Sequence, residues 1–294
     1  MNEKMEIMKN REGFIAALDQ SGGSSGKTLA RYGISSDKYS SDDEMFDLIH
    51  EMRTRVIKSN SFTDEKIIGV ILFEQTMNRK IDDMFTSEYL WNKKHILSFL
   101  KVDKGLADEE NGVQLMKDIP ELESTLKQAV EHGVFGTKMR SVIKTNNVEG
   151  IKSVVKQQFD IAKVIMSYGL VPIIEPEVSI DAVDKKECEE TLKNAVIEEL
   201  NLLDDNAKVM FKFTIPTVDN YYEDLINNPK VVRVVALSGG YTCSDACEKL
   251  ARNHGMIASF SRALLESLQV TDTDEEFDNK LKSAIDMIYD ASIR

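Results

Sequence analysis

A lysine in the middle of an apolar run is the residue of this sequence whose chemistry is most easily named. Lys212 lies in the run 209–215, where Phe211 and Phe213 flank it. Burial disfavours the ammonium form and can lower the pKa of a lysine by roughly 3–5 pH units. A neutral lysine amine attacks carbonyl carbons. A strand lysine that points to solvent is the simpler interpretation of one isolated case, so other ionisable residues must decide between the two.

Polar or ionisable residues end every short apolar run of this chain. They are Asp19, Glu74, Lys101 with Asp103, Lys138 with Arg140, Glu175 with Glu177, Lys212, Ser238, and Ser259 with Arg262. Each of them alone is explained as a residue that meets water at the end of a strand. If the strands converge on one mouth, as they do in a β/α barrel, the same residues together predict a catalytic pocket.

The alternation of side chains along a strand adds detail to this pocket. Residues two apart share a face, so Lys138 and Arg140 would bring positive charge near Lys212. A neighbouring cation disfavours a second ammonium, so burial and charge would both favour the neutral amine. Glu175 would be a carboxyl in a partly dry site, where a raised pKa suits proton transfer. The alternative is a buried ion-pair network that stabilises the barrel, since such networks also perturb pKa values.

Two glycine-rich loops are candidates for binding anions. The loop 238–240, Ser-Gly-Gly, follows the seventh run, and adjacent glycines let backbone N–H groups approach an anion. Such a loop is usually a turn, but barrels commonly hold phosphate after strands seven and eight, where Arg262 also lies. The loop 21–24, with Lys27 close behind it, follows the first run. The two loops together predict a substrate that is phosphorylated at both ends.

The elements that would position these residues are short strands alternating with longer helices. We predict strands at residues 13–19, 67–74, 96–103, 135–142, 170–177, 209–215, 231–238 and 257–260. Continuous apolar runs bounded by helices are typical of parallel strands covered on both faces. Eight of them, each followed by a helix, predict an α/β fold with a single (β/α)8 TIM barrel over residues 1–294.

The charge balance limits the kinds of partner. The chain of 294 residues carries a net charge of −13, which argues against nucleic acid or an anionic membrane as the main partner. An anionic small molecule remains compatible, because cations in a cleft outweigh surface charge beyond a screening length of ~8–10 Å. Without a signal-peptide pattern or a spanning apolar run, we expect a cytoplasmic location. A homo-oligomer is compatible with the sequence, which does not decide the oligomeric state.

The sequence gives little support for metals or nucleotide cofactors. The histidines His50, His95, His132 and His254 lack ligand spacing such as i, i+4 on one helix. The three cysteines lack zinc-type spacing, so reduced structural thiols are expected. No dinucleotide or Walker motif follows a strand. We therefore expect no metal and no cofactor, with the lysine as electron sink.

With these motifs in place, the sequence resembles the class I fructose-1,6-bisphosphate aldolases of the shorter bacterial kind. The matching segments run through nearly the whole chain in the order of the family: 17–24, 100–105, 137–140, 171–177, 211–212, 237–240 and 259–263. Only the Lys-Val-Asp-Lys-Gly and Glu-Pro-Glu segments are distinctive alone, whereas the joint set is highly specific. The resemblance implies a (β/α)8 barrel that cleaves fructose 1,6-bisphosphate reversibly into dihydroxyacetone phosphate and glyceraldehyde 3-phosphate.

The resemblance also implies roles for individual residues. Lys212 would form the imine with the C2 ketone, which replaces a metal as electron sink, and Glu175 would be the general acid and base. Asp19, Lys138 and Glu177 would assist in positioning and proton relay. Residues implied or expected to bind the phosphosugar are Ser24, Lys101, Arg140, Ser238, Gly239, Gly240, Ser259 and Arg262.

The sequence departs from the family pattern at three places. Animal members carry a C-terminal tail whose tyrosine shuttles the enamine proton, whereas Tyr289 here lies in the last predicted helix, where we expect a packing role. Met139 replaces the family's tryptophan on the fourth strand, and Gln20 stands where a glutamate is common. The group that protonates the enamine is therefore not assigned.

Two other functions remain open from the sequence. One is a Schiff-base lyase for another ketose bisphosphate, such as tagatose 1,6-bisphosphate, because the sequence does not show stereochemistry at C4. The other is a non-catalytic barrel that acts as a binding or scaffold protein. The intact set of polar residues at the strand ends argues against a scaffold, which has no need to bury an amine.

Overall fold

Eight parallel strands form a barrel in the order in which they occur in the chain. The computed structural model describes residues 2–21 and 23–294, so Gly22 of the predicted loop 21–24 lies outside the described residues. The barrel strands are β1 (Phe14–Leu18), β2 (Ile67–Leu72), β3 (Leu97–Lys101), β4 (Gly136–Ile143), β5 (Val171–Val178), β6 (Val209–Thr214), β7 (Val231–Leu237) and β8 (Met256–Ala258). The predicted fold class is confirmed, and the predicted strands differ from the observed ones only at their ends.

The first and last strands meet through a hydrogen bond just past the end of β8. The backbone N–H of Ala17 in β1 donates to the carbonyl oxygen of Phe260 at 3.2 Å. Short strand pairs lie outside the barrel path: Val113–Gln114 runs antiparallel to β4, and Lys80–Ile81 pairs with Met84–Phe85. The barrel is therefore nearly closed, with its irregular pieces in the connections.

Helices occupy the connections between the strands. Their bounds are Asn2–Asn10, Gly23–Tyr32, Asp42–Lys58, Glu74–Met77, Thr86–Lys94, Leu122–Glu131, Val148–Ser167, Lys185–Leu202, Glu223–Ile226, Cys243–Leu250, Arg262–Leu265 and Asp274–Ser292. The side chains of Ser41, Asn147 and Thr273 cap the first turns of the helices Asp42–Lys58, Val148–Ser167 and Asp274–Ser292. Thr273, for example, accepts from the Glu276 N–H at 3.2 Å, and Glu276 accepts in return from the Thr273 N–H at 2.9 Å. None of the described helices has the length and apolarity needed to cross a membrane.

Two apolar layers pack on opposite faces of the strands. The larger layer lies between the strands and the helices, and the smaller one fills the lower half of the barrel interior with residues such as Phe99, Ile173 and Met210. The N-terminal helix closes the lower end, because Met8 belongs to the interior layer and its carbonyl oxygen accepts from Arg233 at 2.9 Å. In the described part of the chain, the lower end of the barrel is therefore filled by apolar side chains, and the barrel opens toward the C-terminal ends of its strands.

The interior layer fixes which side chains point into the barrel mouth. Ile173 and Met210 belong to that layer, and side chains two residues further along a strand point the same way. Glu175 and Lys212 follow them by two residues and are both buried. The predicted facing of these two residues is thus confirmed.

The interior layer leaves no room for a side chain at the start of β4. A Cβ atom at Gly136 would lie 2.1 Å from the Val171 carbonyl oxygen and 2.9 Å from the Phe99 ring. We predict that Gly136→Ala lowers the free energy of unfolding by about 1–3 kcal/mol, because β4 and β5 must separate to accept the methyl group. Chemical denaturation measures this difference.

Gly26→Ala is the matched control for this substitution. Gly26 lies inside a helix, where the nearest obstacle to a Cβ is the Tyr39 hydroxyl at 3.0 Å, the end of a rotatable side chain. Alanine favours a helix over glycine by up to about 1 kcal/mol, so we expect no loss of stability. Equal stability losses in the two variants would contradict the tight fit of Gly136.

Candidate active site

A cavity of about 730 Å³ opens at the C-terminal ends of the barrel strands. Every residue that was predicted to be catalytic or substrate-binding lines it: Asp19, Ser24, Lys101, Lys138, Arg140, Glu175, Glu177, Lys212, Ser238, Gly239, Gly240, Ser259 and Arg262. Glu74 does not; it begins a short helix, and its carboxylate pairs with Lys104 at 3.0 Å instead. The expectation that Glu74 belongs to the mouth was wrong, because the second strand ends before it and the chain turns away.

Four charged side chains alternate in sign along the floor of the cavity. Lys138 Nζ donates a hydrogen bond to Asp19 Oδ2 at 2.8 Å and lies 2.8 Å from Glu175 Oε2. The other oxygen of the same carboxylate, Glu175 Oε1, lies 3.3 Å from Lys212 Nζ. The Glu175 carboxylate is therefore placed between two lysine nitrogens, and Lys138 is placed between two carboxylates.

Neighbouring charges fix the protonation of Lys138 and Asp19. Burial by itself lowers the pKa of Lys138, but the charges of Asp19 and Glu175 outweigh it and hold this pKa far above the usual lysine value. Burial likewise would raise the pKa of Asp19, but Lys138 and Lys212 hold it well below the usual range. Lys138 is thus fixed as an ammonium and Asp19 as a carboxylate at neutral pH, so Lys138 has no lone pair with which to attack a carbonyl.

Lys212 is buried by the barrel interior and not by its sequence neighbours. Only 4% of the residue is exposed. Phe211 and Phe213 point to the opposite side of β6, where they stack on each other and Phe213 stacks on Tyr222. The picture of an amine held between two aromatic rings was therefore wrong, since neighbours on a strand face opposite ways. The low exposure of Lys212 comes from the closed barrel.

The strands on either side of the Glu175–Lys212 contact diverge. Between β5 and β6 the pairing covers only Ile173 with Met210 and Ile174 with Phe211, which leaves backbone groups of both strands without a strand partner further up. Side chains supply the missing partners: Gln158 accepts from the Glu175 N–H at 2.8 Å, and Thr214 donates to the Val178 carbonyl at 2.5 Å. These two side chains hold β5 and β6 together where the pairing of the strands ends.

Sequence reasoning missed Gln158, although a signal was present. Gln158 lies in the apolar face of the helix Val148–Ser167, beside Val154, Val155 and Phe159, and it is fully buried. A buried polar side chain needs a hydrogen-bond partner. A glutamine within an otherwise apolar stripe therefore indicated that some backbone group nearby would need it.

Cation–carboxylate pairs also stand at the rim of the cavity. Arg140 Nε donates to Glu177 Oε2 at 2.6 Å, and this carboxylate, with Glu175, outweighs burial and raises the pKa of Arg140. Lys101 Nζ donates to Asp103 Oδ1 at 2.7 Å and to its carbonyl oxygen at 3.0 Å. These contacts position the Arg140 and Lys101 side chains in the lining of the cavity.

The glycine loop after β7 has a backbone that only glycine adopts easily. Gly239 has φ +60° and Gly240 has φ +117°, in the left-handed region where a Cβ is unfavourable. A Cβ at Gly239 would also lie 2.7 Å from the Ile180 side chain. Across the same edge, the Ser259 hydroxyl is buried and has no hydrogen-bond partner among the described residues. An oxygen-rich ligand at this edge would satisfy it.

Arg53 is a second residue that the sequence did not reveal. It is completely buried on the helix Asp42–Lys58. Its Nη2 donates to the Gln20 carbonyl oxygen at 2.6 Å and to the Gln20 side-chain oxygen at 3.1 Å, and its Nη1 donates to Thr76. A cation between Met52 and Val56 in an apolar stripe was the available signal.

The residues that the structure describes contain no cluster of three or more His, Cys, Asp or Glu suited to a metal ion.

Comparison with known proteins shows the family of this chain. A family model described as fructose-bisphosphate aldolase class-I matches residues 2–218. A protein named fructose-bisphosphate aldolase class 1 from Clostridium acetobutylicum is 57% identical over 294 residues, which is 100% of both chains. One of the same name from Porphyromonas gingivalis is 56% identical over 292 residues, 99% of both. The chain belongs to the class I fructose-bisphosphate aldolase family.

The fold of the family is also recognised in a solved structure. A fructose-bisphosphate aldolase from Plasmodium falciparum superposes with a TM-score of 0.70 at 17% identity, covering 99% of this chain and 94% of the other. This similarity supports the aldolase TIM barrel.

Of the departures from the family pattern, Met139 is buried in the layer between strands and helices, so it does not change the cavity lining.

Tyr289 does not line the cavity of this family member. It lies in the helix Asp274–Ser292, where its hydroxyl is 3.4 Å from Glu12 and Lys66 lies over its ring. These contacts agree with the packing role that was expected for it.

The shared ammonium of Lys138 makes its removal costly. We predict that Lys138→Met lowers the free energy of unfolding by about 3–5 kcal/mol at neutral pH, because Asp19 and Glu175 lose their buried partner. Lys282→Met is the matched control, since Lys282 is exposed and its pair with Asp286 lies on the surface. We expect the control to cost at most about 1 kcal/mol.

The cost of Lys138→Met should depend on pH in a defined direction. The lowered pKa of Asp19 stabilises the fold above the unfolded-state value of about 3.9, and this contribution is lost as pH falls toward the folded value. The raised pKa of Lys138 stabilises below about 10.4 and its contribution is lost at higher pH. Denaturation should therefore show the largest cost between about pH 5 and pH 10. A cost that does not change between pH 7 and pH 3.5 would argue against the ion contacts.

Proposed function

We propose that this chain cleaves fructose 1,6-bisphosphate reversibly into dihydroxyacetone phosphate and glyceraldehyde 3-phosphate through an imine on Lys212. The observation that carries the proposal is the position of the Lys212 nitrogen, which is buried in the cavity and 3.3 Å from the Glu175 carboxylate. Family membership supplies the reaction class, and the geometry supports the roles of the residues. Acting in glycolysis and gluconeogenesis, the enzyme would be cytoplasmic.

The choice between the two buried lysines follows from their partners. Lys138 touches two carboxylates, which keep it protonated. Lys212 touches one carboxylate and makes no aligned hydrogen bond to any residue that the structure describes. In the proposed first step Glu175 takes a proton from the Lys212 nitrogen, and the resulting amine attacks the C2 carbonyl and gives a carbinolamine. Glu175 then returns this proton to the carbinolamine hydroxyl, which leaves as water, so that a protonated imine and the Glu175 carboxylate remain.

Cleavage uses the protonated imine as the electron sink. When the C3–C4 bond breaks, its electron pair moves into the imine and forms an enamine, while a base removes the proton of the C4 hydroxyl. We assign this base to Glu175, because it is the carboxylate nearest the Lys212 nitrogen and a fixed ammonium, Lys138, orients it. Asp19 and Lys138 would keep the charge of the floor balanced, and Glu177 would position Arg140.

Two groups of residues in the cavity lining suit the two phosphates. We propose the C1 phosphate for the edge that carries Ser238, Gly239, Gly240, Ser259 and Arg262. We propose the C6 phosphate for Lys101 and Ser24, which line the same cavity. Hydrogen bonds to a charged phosphate are stronger than those between neutral groups. The two groups of residues can therefore hold the two phosphates of the substrate while Lys212 acts on its C2 carbonyl. Arg140 also lines the cavity, and we propose that it contacts the sugar.

Tagatose 1,6-bisphosphate remains the second candidate substrate. It differs from fructose 1,6-bisphosphate only in the configuration at C4, and the same lysine, carboxylate and phosphate edges would serve it. The ratio of kcat/KM for the two bisphosphates decides between them. A ratio near one would mean that the enzyme cleaves both C4 epimers equally well.

The covalent step can be tested by trapping. We predict that dihydroxyacetone phosphate followed by borohydride, in the presence of EDTA, labels Lys212, as peptide mass spectrometry would show. Lys212→Met should abolish both the adduct and the cleavage activity. Lys208→Met is the matched control and should be labelled at Lys212 like the unaltered protein. Lys208 directly precedes β6, and its amine donates a hydrogen bond to the Pro229 carbonyl oxygen outside the cavity. Full activity in Lys212→Met would falsify the mechanism.

The acid–base role of Glu175 predicts a separation of binding from turnover. In Glu175→Gln the substrate should bind with a KM close to that of the unaltered protein, while kcat falls by about 10²–10⁴ because no group exchanges the proton. Glu198→Gln serves as control, since Glu198 is exposed and far from the described cavity lining. Steady-state kinetics with fructose 1,6-bisphosphate measures both values. An unchanged kcat would remove Glu175 from this role.

A further inference from the structure

The side chain of Gln20 joins the first and the last loops of the barrel mouth. Its amide nitrogen lies 2.5 Å from Ser261 Oγ and 3.5 Å from the Ala17 carbonyl oxygen. Its amide oxygen lies 3.1 Å from Arg53 Nη2. Gln20 and Ser261 both line the cavity, beside Arg262. Neither Arg53 nor Ser261 belongs to the set of residues with a proposed role in catalysis or binding.

Arg53 determines which way the amide of Gln20 points. A guanidinium has five N–H donors and no acceptor, so only the amide oxygen can face it. The amide N–H groups must then face Ser261 and the Ala17 carbonyl, and both of these can accept. Arg53 cannot turn away, because it is completely buried and also donates to the Gln20 backbone and to Thr76.

The fixed amide in turn determines the polarity of the Ser261 hydroxyl. A hydroxyl has one proton to donate and two lone pairs to accept with. Because Gln20 donates to Ser261 Oγ, the serine proton is not used in that contact and is free to point into the cavity. We infer that the Ser261 hydroxyl donates a hydrogen bond to the substrate phosphate at the edge that carries Ser238, Ser259 and Arg262. This inference rests on the proposed function.

The same geometry explains why glutamine suits position 20 in this chain. A glutamate there would accept from Arg53 as well, but its carboxylate has no proton to donate. It would accept the Ser261 proton, and Ser261 would then turn its lone pairs toward an anion in the cavity. Gln20 thus makes Ser261 a donor, and Arg53 acts as a positioning residue through Gln20.

A phosphate ester without a carbonyl tests the inference independently of the lysine chemistry. Glycerol 3-phosphate binding, measured by calorimetry, should be about tenfold weaker or more in Ser261→Ala, since hydrogen bonds to charged groups are among the strong ones. Ser261→Thr keeps the hydroxyl and should recover most of the affinity. Ser283→Ala, whose hydroxyl donates to its own helix on the surface, is the matched control and should bind as the unaltered protein does.

The role of Gln20 is tested by combining substitutions. Gln20→Glu should weaken glycerol 3-phosphate binding, and Ser261→Ala added to Gln20→Glu should cause no further weakening, because the hydroxyl has already lost its donor role. Thermal unfolding should show that all variants stay folded. Equal affinity of Ser261→Ala and the unaltered protein would overturn the inference, and so would the same loss from Ser261→Ala in both backgrounds.

The outcome is separable from a failure of the proposed function. Ser261→Ala should still be trapped at Lys212 by saturating dihydroxyacetone phosphate and borohydride. Absence of trapping in the unaltered protein would contradict the aldolase mechanism, whereas the affinities for glycerol 3-phosphate would still confirm or overturn the donor role of Ser261.

Discussion

The floor of the active site depends on one ammonium group that two carboxylates share. Lys138 contacts Asp19 and Glu175 at 2.8 Å each, within a barrel interior that water hardly reaches. An unpaired ion in such a place costs several kcal/mol, so the signs of neighbouring charges must alternate. This constraint fixes Lys138 as the cation that stays, and it is the reason why we propose Lys212, with its single carboxylate contact, as the amine that reacts.

The barrel fills the space below these four charged residues with apolar side chains and leaves a cavity above them. The interior layer around Phe99, Ile173 and Met210 fills the space beneath it, and the N-terminal helix closes the lower end. Above that layer β5 and β6 part, with Gln158 and Thr214 bonding the backbone groups that lose their strand partners. The packed layer below and the cavity above together place the Lys212 side chain at a buried position that still lines an open cavity.

Recognition of the substrate is a matter of local charge and not of the charge of the whole molecule. A net charge of −13 would repel a bisphosphate, yet Lys101, Arg140 and Arg262 face the cavity. Beyond ~10 Å the surface charges are screened, whereas hydrogen bonds to charged groups act at contact. The Ser261 hydroxyl, which Arg53 and Gln20 orient as a hydrogen-bond donor, adds a neutral group to these charged ones.

The sequence determined the strands, the fold class and which residues gather at the mouth, because apolar periodicity and the direction of parallel strands are local properties. It did not show that Glu74 leaves the mouth, that Phe211 and Phe213 face away from Lys212, or that Gln158 and Arg53 are needed. Those facts depend on where strands end, diverge and meet helices. The order Asp19–Lys138–Glu175–Lys212 was likewise decided only by the closed barrel, since each contact joins residues from different strands. The spacing of residues along one strand does not determine their distances to residues of another strand.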